Sequence, residues 1–265
     1  MLIAHLSDLH ISAGLPETAP VRRDAPDMAA RVVADLLALP QRPDAVLITG
    51  DIADGGSEAD YALVRGILAP LPMPVFVVPG NHDKRGPMRA AFGGTIPFAA
   101  PDTLHFDAQV GGARILGLDS LVPGKVEGAL EKAQLDWLED RLATATDPVF
   151  VMLHHPPFPN GNTHWDATAL RGGAIRLGRI LQASAAPVRL LCGHVHQAFH
   201  TRWAGHYAAV GGSPAFQYGF GFDQHSEPPL IDGPYAYWLH HRRPDGSFGV
   251  HPRLLALPLR TDLAG

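Results

Sequence analysis

The chain has 265 residues, 46% hydrophobic and 18% charged, and its 21 Lys and Arg against 26 Asp and Glu leave a formal charge of −5. That length suits one large domain or a domain with an appendage, and without a dense basic run the charge disfavours a nucleic-acid polymer as partner. One cysteine, Cys192, excludes an intrachain disulfide. No apolar stretch approaches the roughly 18–20 residues that cross a bilayer, so no membrane partner is expected. Met1 to Leu6 lacks the features of a signal peptide, so a cytoplasmic location is expected.

Short apolar runs bounded by Gly, Pro or Asp predict buried strands at Leu2 to Leu6, Ala45 to Thr49, Val75 to Val78, Arg114 to Leu118, Val149 to Leu153 and Val188 to Cys192. Helical spacing lies between them: Met28, Val32, Leu36 and Leu39 behind Asp24 and Pro26; Tyr61, Val64 and Leu68; Leu135, Leu138 and Leu142 before Asp147-Pro148. This alternation predicts an α/β layered fold. Leu104 to Val110 runs through Gly111-Gly112 into the Arg114 strand, a hairpin signal that makes the sheets mixed. Beyond Cys192 the pattern turns to strands, at Phe199 to Trp203, His206 to Val210, Tyr235 to His241 and Val250 to Leu255. Segments 11–25 and 211–234 have no regular spacing, as in lids, binding loops or disordered stretches.

Fifteen histidines against a single cysteine suit first-row divalent ions in mixed nitrogen and oxygen sites. Their positions follow the strands. Leu2 to Leu6 leads into Asp8-Leu9-His10, Ala45 to Thr49 into Gly50-Asp51, and Val75 to Val78 into Gly80-Asn81-His82-Asp83. Val149 to Leu153 leads into His154-His155-Pro156-Pro157, and Val188 to Cys192 into Gly193-His194-Val195-His196. Carboxyl ends of strands in an open α/β sheet share one edge, so these side chains are expected to meet. Extended alternation would aim Asp8 with His10, and His194 with His196, at one point, with Gly50, Gly80 and Gly193 turning the chain. Such a cluster without a cation carries a large desolvation and repulsion cost, so metal is the natural compensation.

In their order and spacing these motifs resemble the calcineurin-like metallophosphoesterase superfamily over residues 2 to 196, and within it the branch holding class III cyclic nucleotide phosphodiesterases and bacterial glycerophosphodiesterases. The resemblance implies a four-layer α/β/β/α sandwich with mixed sheets. Residues 1–196 would form the catalytic core, and a β-rich 197–265 would complete the second sheet and act as a cap or oligomer contact. It further implies two divalent ions of Mn, Fe, Zn or Co. Asp8, His10, Asp51 and His196 would hold one, and Asp51, Asn81, His154 and His194 the other, with Asp51 as the bridge. The expected enzyme hydrolyses small soluble phosphodiesters, cyclic nucleotides or glycerophosphodiesters, by attack of metal-bound hydroxide on phosphorus. His82 is expected to contact substrate with Asn81 and to protonate the departing alkoxide, with Asp83 orienting its ring. Homo-oligomers are the habit of the family.

Other positions take plainer readings. His155 should point away from its neighbour, and His5 should be a core residue. His105, His200, His225, His240, His241 and His251 read as structural or surface groups. Asp54 fits either a place beside the site or a helix cap. Phe216, Tyr218, Phe220 and Phe222 alternate as a wall over substrate or a packing surface. Of Asn160, Asn162, His164 and Asp166, Asn162 is the one expected to face substrate. A phosphomonoesterase, a nuclease and a non-catalytic binding module of the same fold are the rival readings.

Overall fold

The structure is a computed structural model that describes residues 1–15, 20–222 and 226–259; His225 and the remaining parts of both irregular segments lie outside the described residues. The first half runs β1 (Leu2–Leu6), α1 (Ala25–Ala38), β2 (Ala45–Ile48), α2 (Glu58–Leu68), β3 (Val75–Val77), α3 (Arg85–Phe92), β4 (Phe106–Val110) and β5 (Ala113–Gly117). Then follow β6 (Gly128–Ala129), α4 (Lys132–Ala143), β7 (Val149–Met152), α5 (Thr163–Thr168), β8 (Leu170–Gly172), α6 (Ala174–Ala183) and β9 (Val188–Cys192). The rest is strand: β10 (Phe199–Trp203), β11 (His206–Val210), β12 (Gln217–Tyr218), β13 (Leu230–Ile231), β14 (Tyr235–Arg242) and β15 (Phe248–Leu255).

Local chemistry starts the helices where the sequence marks them. Ser57 accepts from Asp60 N at 3.1 Å while Asp60 Oδ2 accepts from Ser57 N at 2.9 Å, a reciprocal cap that fixes the start of α2. Pro26 opens α1, where its missing N–H costs nothing.

Two mixed sheets form, in the orders β15-β14-β1-β2-β3 and β10-β11-β9-β7-β5-β4. Within them β1, β2 and β3 are parallel, as are β5, β7, β9 and β11. Period-two alternation separates the faces of the second sheet. Ile115, Phe150, Met152, Leu191 and Ala209 pack with the first sheet and α1 to α3, whereas Leu116, Val149, Val151, Leu190 and Ala208 pack against α4 and α6. The result is the four-layer α/β/β/α sandwich.

The division at residue 196 does not separate a second body. β10 and β11 extend the second sheet, and β14 pairs antiparallel with β1 and carries β15, so the C-terminal portion contributes strands to both sheets. Among the described C-terminal residues the β12–β13 pair lies outside both sheets, as a cap-like element. Phe220 and Phe222, just after β12, are exposed with their rings 5.8 Å apart and tilted by 31°, while Phe216 and Tyr218 are buried.

A polar pocket of core lies between the sheets. Arg189 stacks over the Tyr207 and Phe248 rings at 4.0 and 4.5 Å and donates to His240 Nδ1. His240 and His5 are fully buried, their rings 6.1 Å apart. Both belong to the core, as read for His5. Among the described residues no helix is long and apolar enough to cross a membrane.

Candidate metal centre

The carboxyl ends of β1, β2 and β3 face those of β7 and β9, and the five motif loops meet there. The loops are tied to one another: Asp8 N donates to Gly50 O, His10 N to Asp51 O, and His194 N to the Asp8 carboxylate at 3.1 Å. Their backbone is strained. Six non-glycine residues described here have positive φ, and five of them are Asp8, His10, Asp51, His194 and His196. Left-handed backbone costs about 1–2 kcal/mol per residue, so its concentration here is the signature of a functional site. It also revises the expected geometry: the side chains of each pair converge through left-handed turns, not through extended alternation.

Two of the strand-exit glycines serve space, not rotation. A Cβ at Gly80 would overlap Asp51 Oδ1 and come within 2.5 Å of Asp51 N. One at Gly193 would overlap Ser7 Oγ and sit 2.6 Å from Asp8 Oδ2.

Ligand atoms of Asp8, His10, Asp51 and His196 lie within 4.8 Å of one another, all buried. Asp51 Oδ2 is also 3.2 Å from His154 Nε2, which lies 3.2 Å from Asn81 Oδ1, itself 3.1 Å from His194 Nδ1. Two sets thus share Asp51, one per expected ion. The histidine tautomers follow from the outer nitrogens. His10 Nδ1 meets Asp54 at 3.0 Å, His154 Nδ1 the Thr49 carbonyl at 2.8 Å and His196 Nδ1 the Phe216 carbonyl at 2.9 Å. His194 is reversed, with Nε2 on Thr168 Oγ1 at 3.2 Å. Each outer N–H is committed, so the inner nitrogens present lone pairs. His10 Nε2 and His196 Nε2 then oppose each other at 3.1 Å, an arrangement that a cation between them satisfies. The donor set fits two first-row divalent ions.

The electrostatics agree. Burial opposes the charge on Asp51, yet His154, His82 and His10 hold its carboxyl well below the usual range. Asp8 is lowered too, burial being outweighed by His196 and His154. Burial pushes His10 and His194 down, favouring neutral ligands. Burial also opposes charge on His154, but Asp51 lifts it to about 9.

His82 stands at the mouth of the site, its side chain 41% exposed. Its Nδ1 lies 3.2 Å from Asp54 Oδ1 and 3.1 Å from the Asp54 carbonyl. Burial works against its charge, but Asp51 and Asp54 raise it to about 10. The orienting carboxylate is therefore Asp54, not Asp83. Asp83 instead accepts from Tyr61 Oη at 2.6 Å and from the N–H groups of Gly80, Ala53 and Ile52, clamping two motif loops together. Asp54 caps no helix, since Ser57 caps α2.

Asn162 does not face substrate. Its Oδ1 accepts from His164 N and Trp165 N at the start of α5, and its Nδ2 donates to the Gly221 and Ser226 carbonyls. Asn160 and Asp166 shape the same turn, leaving His164 as the cavity-lining member of that group. His155 packs its ring 4.7 Å from His194, but both its nitrogens are taken, by Ser120 Oγ and the Val126 carbonyl.

A cavity of about 330 Å³ opens over the cluster, lined by Asp51, Asn81, His82, His194 and His196 on one side and by Trp165, Thr168, Phe216, Tyr218 and Glu227 on the other. Sequence reading missed Thr168, Trp165 and Glu227. Only Asp54 left a signal, three residues after Asp51.

Residues 1–198 match the calcineurin-like phosphoesterase family. A glycerophosphodiester phosphodiesterase, GpdQ, of Enterobacter lignolyticus is 31% identical over 246 residues, which cover 92% of this chain and 87% of that protein. A probable cyclic nucleotide phosphodiesterase of a Synechococcus strain is 36% identical over 198 residues, 74% of either chain. In fold, a dimetal phosphatase from Danio rerio aligns with a TM-score of 0.67 at 15% identity over 91% of this chain and 92% of its own. With a family match across three quarters of its length and the motif loops gathered at one edge, this chain belongs to the calcineurin-like phosphoesterases, a family of hydrolases.

Proposed function

We propose that the protein is a two-metal phosphodiesterase acting on small soluble phosphodiesters, with glycerophosphodiesters and cyclic nucleotides as the leading classes. The observation that carries this reading is the pair of lone-pair sets joined through Asp51 beneath an open cavity. Asp8, His10, Asp51 and His196 would hold one ion and Asp51, Asn81, His154 and His194 the other. Bound divalent ions supply acidified water and neutralise phosphate oxygens.

The chain's own residues divide the remaining work. Asp54 holds His82 Nδ1, so Nε2–H is the donor available to the cavity. As an imidazolium, His82 gives that proton to the alkoxide oxygen that leaves when its bond to phosphorus breaks, and is left neutral. Asn81, whose Oδ1 faces His154 and His194, also lines the cavity, where its Nδ2 can donate to a phosphate oxygen. Thr168 and Asp54 fix the rings of His194 and His10. Two features favour a diester over a monoester. The cavity continues past the ligands to an aromatic wall with space for a second ester group, and its lining has no Lys or Arg to balance the extra charge of a monoester dianion.

The test compares bis(4-nitrophenyl) phosphate with 4-nitrophenyl phosphate after chelation and reconstitution with single metals. Faster diester hydrolysis that needs a divalent ion supports the reading, and monoester preference or indifference to chelation overturns it.

A further inference from the structure

Ser213 belongs to none of the five motifs, yet the short segment it opens touches three of the four ligands in the Asp8, His10, Asp51 and His196 set. The residue is fully buried. Its hydroxyl carries one proton and two lone pairs, and all three are used. Oγ donates to the Asp8 carbonyl at 2.7 Å and accepts from Ala215 N at 3.1 Å and Phe216 N at 3.3 Å. Asp8 sits in left-handed backbone at φ 53°, its N–H on the Gly50 carbonyl, so Ser213 pins the other side of the same residue. Such backbone persists only where its surroundings over-determine it. One hydrogen bond further on, the Phe216 carbonyl accepts from His196 Nδ1 at 2.9 Å, which keeps Nε2 as the lone pair for a cation. The Phe216 ring packs 4.1 Å from the His196 ring and 5.0 Å from that of His10.

The same segment runs directly into β12 of the cap-like pair. Gln197, beside His196, adds a second tie: its Nε2 donates to the Gly219 carbonyl, just past β12, at 2.6 Å. The histidines of the other set take their outer partners elsewhere, His154 from the Thr49 carbonyl and His194 from Thr168. We propose, resting on the two-metal reading above, that Ser213 is a positioning residue that couples the β12–β13 cap to the ion held by Asp8, His10, Asp51 and His196. Seating the cap strengthens the hold on that ion, and the ion in turn holds the cap, because a coupling between two equilibria is reciprocal. Ser213 does not line the cavity and acts through Asp8 and Phe216.

The experiment titrates MnCl2 into the chelated full chain by calorimetry, in wild type and in Ser213→Ala. Two ions should bind the wild type, and Ser213→Ala should weaken one of them about 10–100-fold, the loss expected when a group behind a metal ligand is removed. Asn81→Ala tells which ion is affected. That change impairs only the second set, so adding Ser213→Ala to it should weaken the remaining tight ion by the same factor. A further measurement needs no variant. If opening the segment releases the ion, free Mn2+ at about a hundred times its Kd should slow hydrogen exchange across residues 214–219 of the wild type about a hundredfold. Unaltered affinity for both ions in Ser213→Ala, a loss confined to the second set, or exchange across 214–219 unmoved by Mn2+ would overturn the proposal. A serine that served stability alone would lower the denaturation midpoint and move none of these readings. Failure of the phosphodiesterase reading looks different: Mn2+-loaded wild type cleaves no diester, while both ions bind and Ser213→Ala still weakens one.

Discussion

Asp54→Asn keeps the shape of a side chain that serves two imidazoles and removes its charge. One oxygen, Oδ1, lies 3.0 Å from His10 Nδ1 and 3.2 Å from His82 Nδ1. Replacing a charge-assisted hydrogen bond by a neutral one costs about 1–1.5 kcal/mol. For His82 that figure is discounted, since 41% of its side chain meets solvent. At about 1.4 kcal/mol per pKa unit, the His82 pKa should then fall by about 0.5–1 unit. The sign follows from the role: His82 donates a proton, so turnover of a diester with a poor leaving group declines as pH rises through its pKa. Lowering that pKa moves the alkaline limb of kcat to lower pH. A 4-nitrophenyl diester, whose leaving group needs no proton, should show no such shift. On the His10 side, loss of the group that orients a ligand should weaken metal binding about 10–100-fold. Profiles of kcat against pH for alkyl and aryl diesters, with calorimetric metal titration, read both effects. An unmoved alkaline limb together with unaltered metal affinity would refute the assignment of Asp54.

Three further outcomes follow from the same geometry. Gly80→Ala should cost about 1–3 kcal/mol in urea denaturation through overpacking against Asp51 and should lower metal content; wild-type metal content would contradict the close approach. Asn162→Ala should destabilise by about 1–2 kcal/mol through loss of the α5 cap while changing KM for a diester little, whereas raised KM at unchanged stability would restore a substrate contact. Burial holds His5 at about 3 against an ordinary 6.5, so the unfolded chain takes up a proton that the folded one refuses. Its contribution to stability is complete above pH 6.5 and declines by about 1.4 kcal/mol per unit as pH falls from there towards 3. Denaturation of His5→Gln at pH 7, 5.5 and 4.5 should show a slope shallower by about that amount, and an unchanged slope would place His5 outside the neutral core.

The strands that feed the cluster were legible for one reason: β1, β2, β3, β7 and β9 are short, almost wholly buried and mainly apolar runs, and each is followed by carboxylate, amide or imidazole residues of the kind a cation needs. Short helices that begin beside glycine or proline were not. α3 buries only Met88 and Phe92 behind a Gly86-Pro87 start, and Gly172-Gly173 reads as a chain break although Gly173, at φ 82°, leads directly into α6. The place of β14 was not legible because strand pairing is non-local: nothing in β14 announces that it will lie beside β1. Asp83 and Asn162 were misread for a related reason. A polar side chain in a loop looks the same whether it faces a ligand or satisfies backbone N–H groups, and in both cases the backbone won. The far wall of the cavity was invisible as a unit, because Trp165 of α5, Tyr218 of β12 and Glu227 come from separate segments that share no motif.

The most direct test of the shared-carboxylate centre is metal stoichiometry by mass spectrometry on wild type and Asp51→Asn, with diester hydrolysis measured on the same samples. Two ions per chain in the wild type, with both ions and hydrolysis lost together in Asp51→Asn, is the predicted result. An Asp51→Asn protein that keeps two ions, or a chelated wild type that still cleaves the diester, would contradict it.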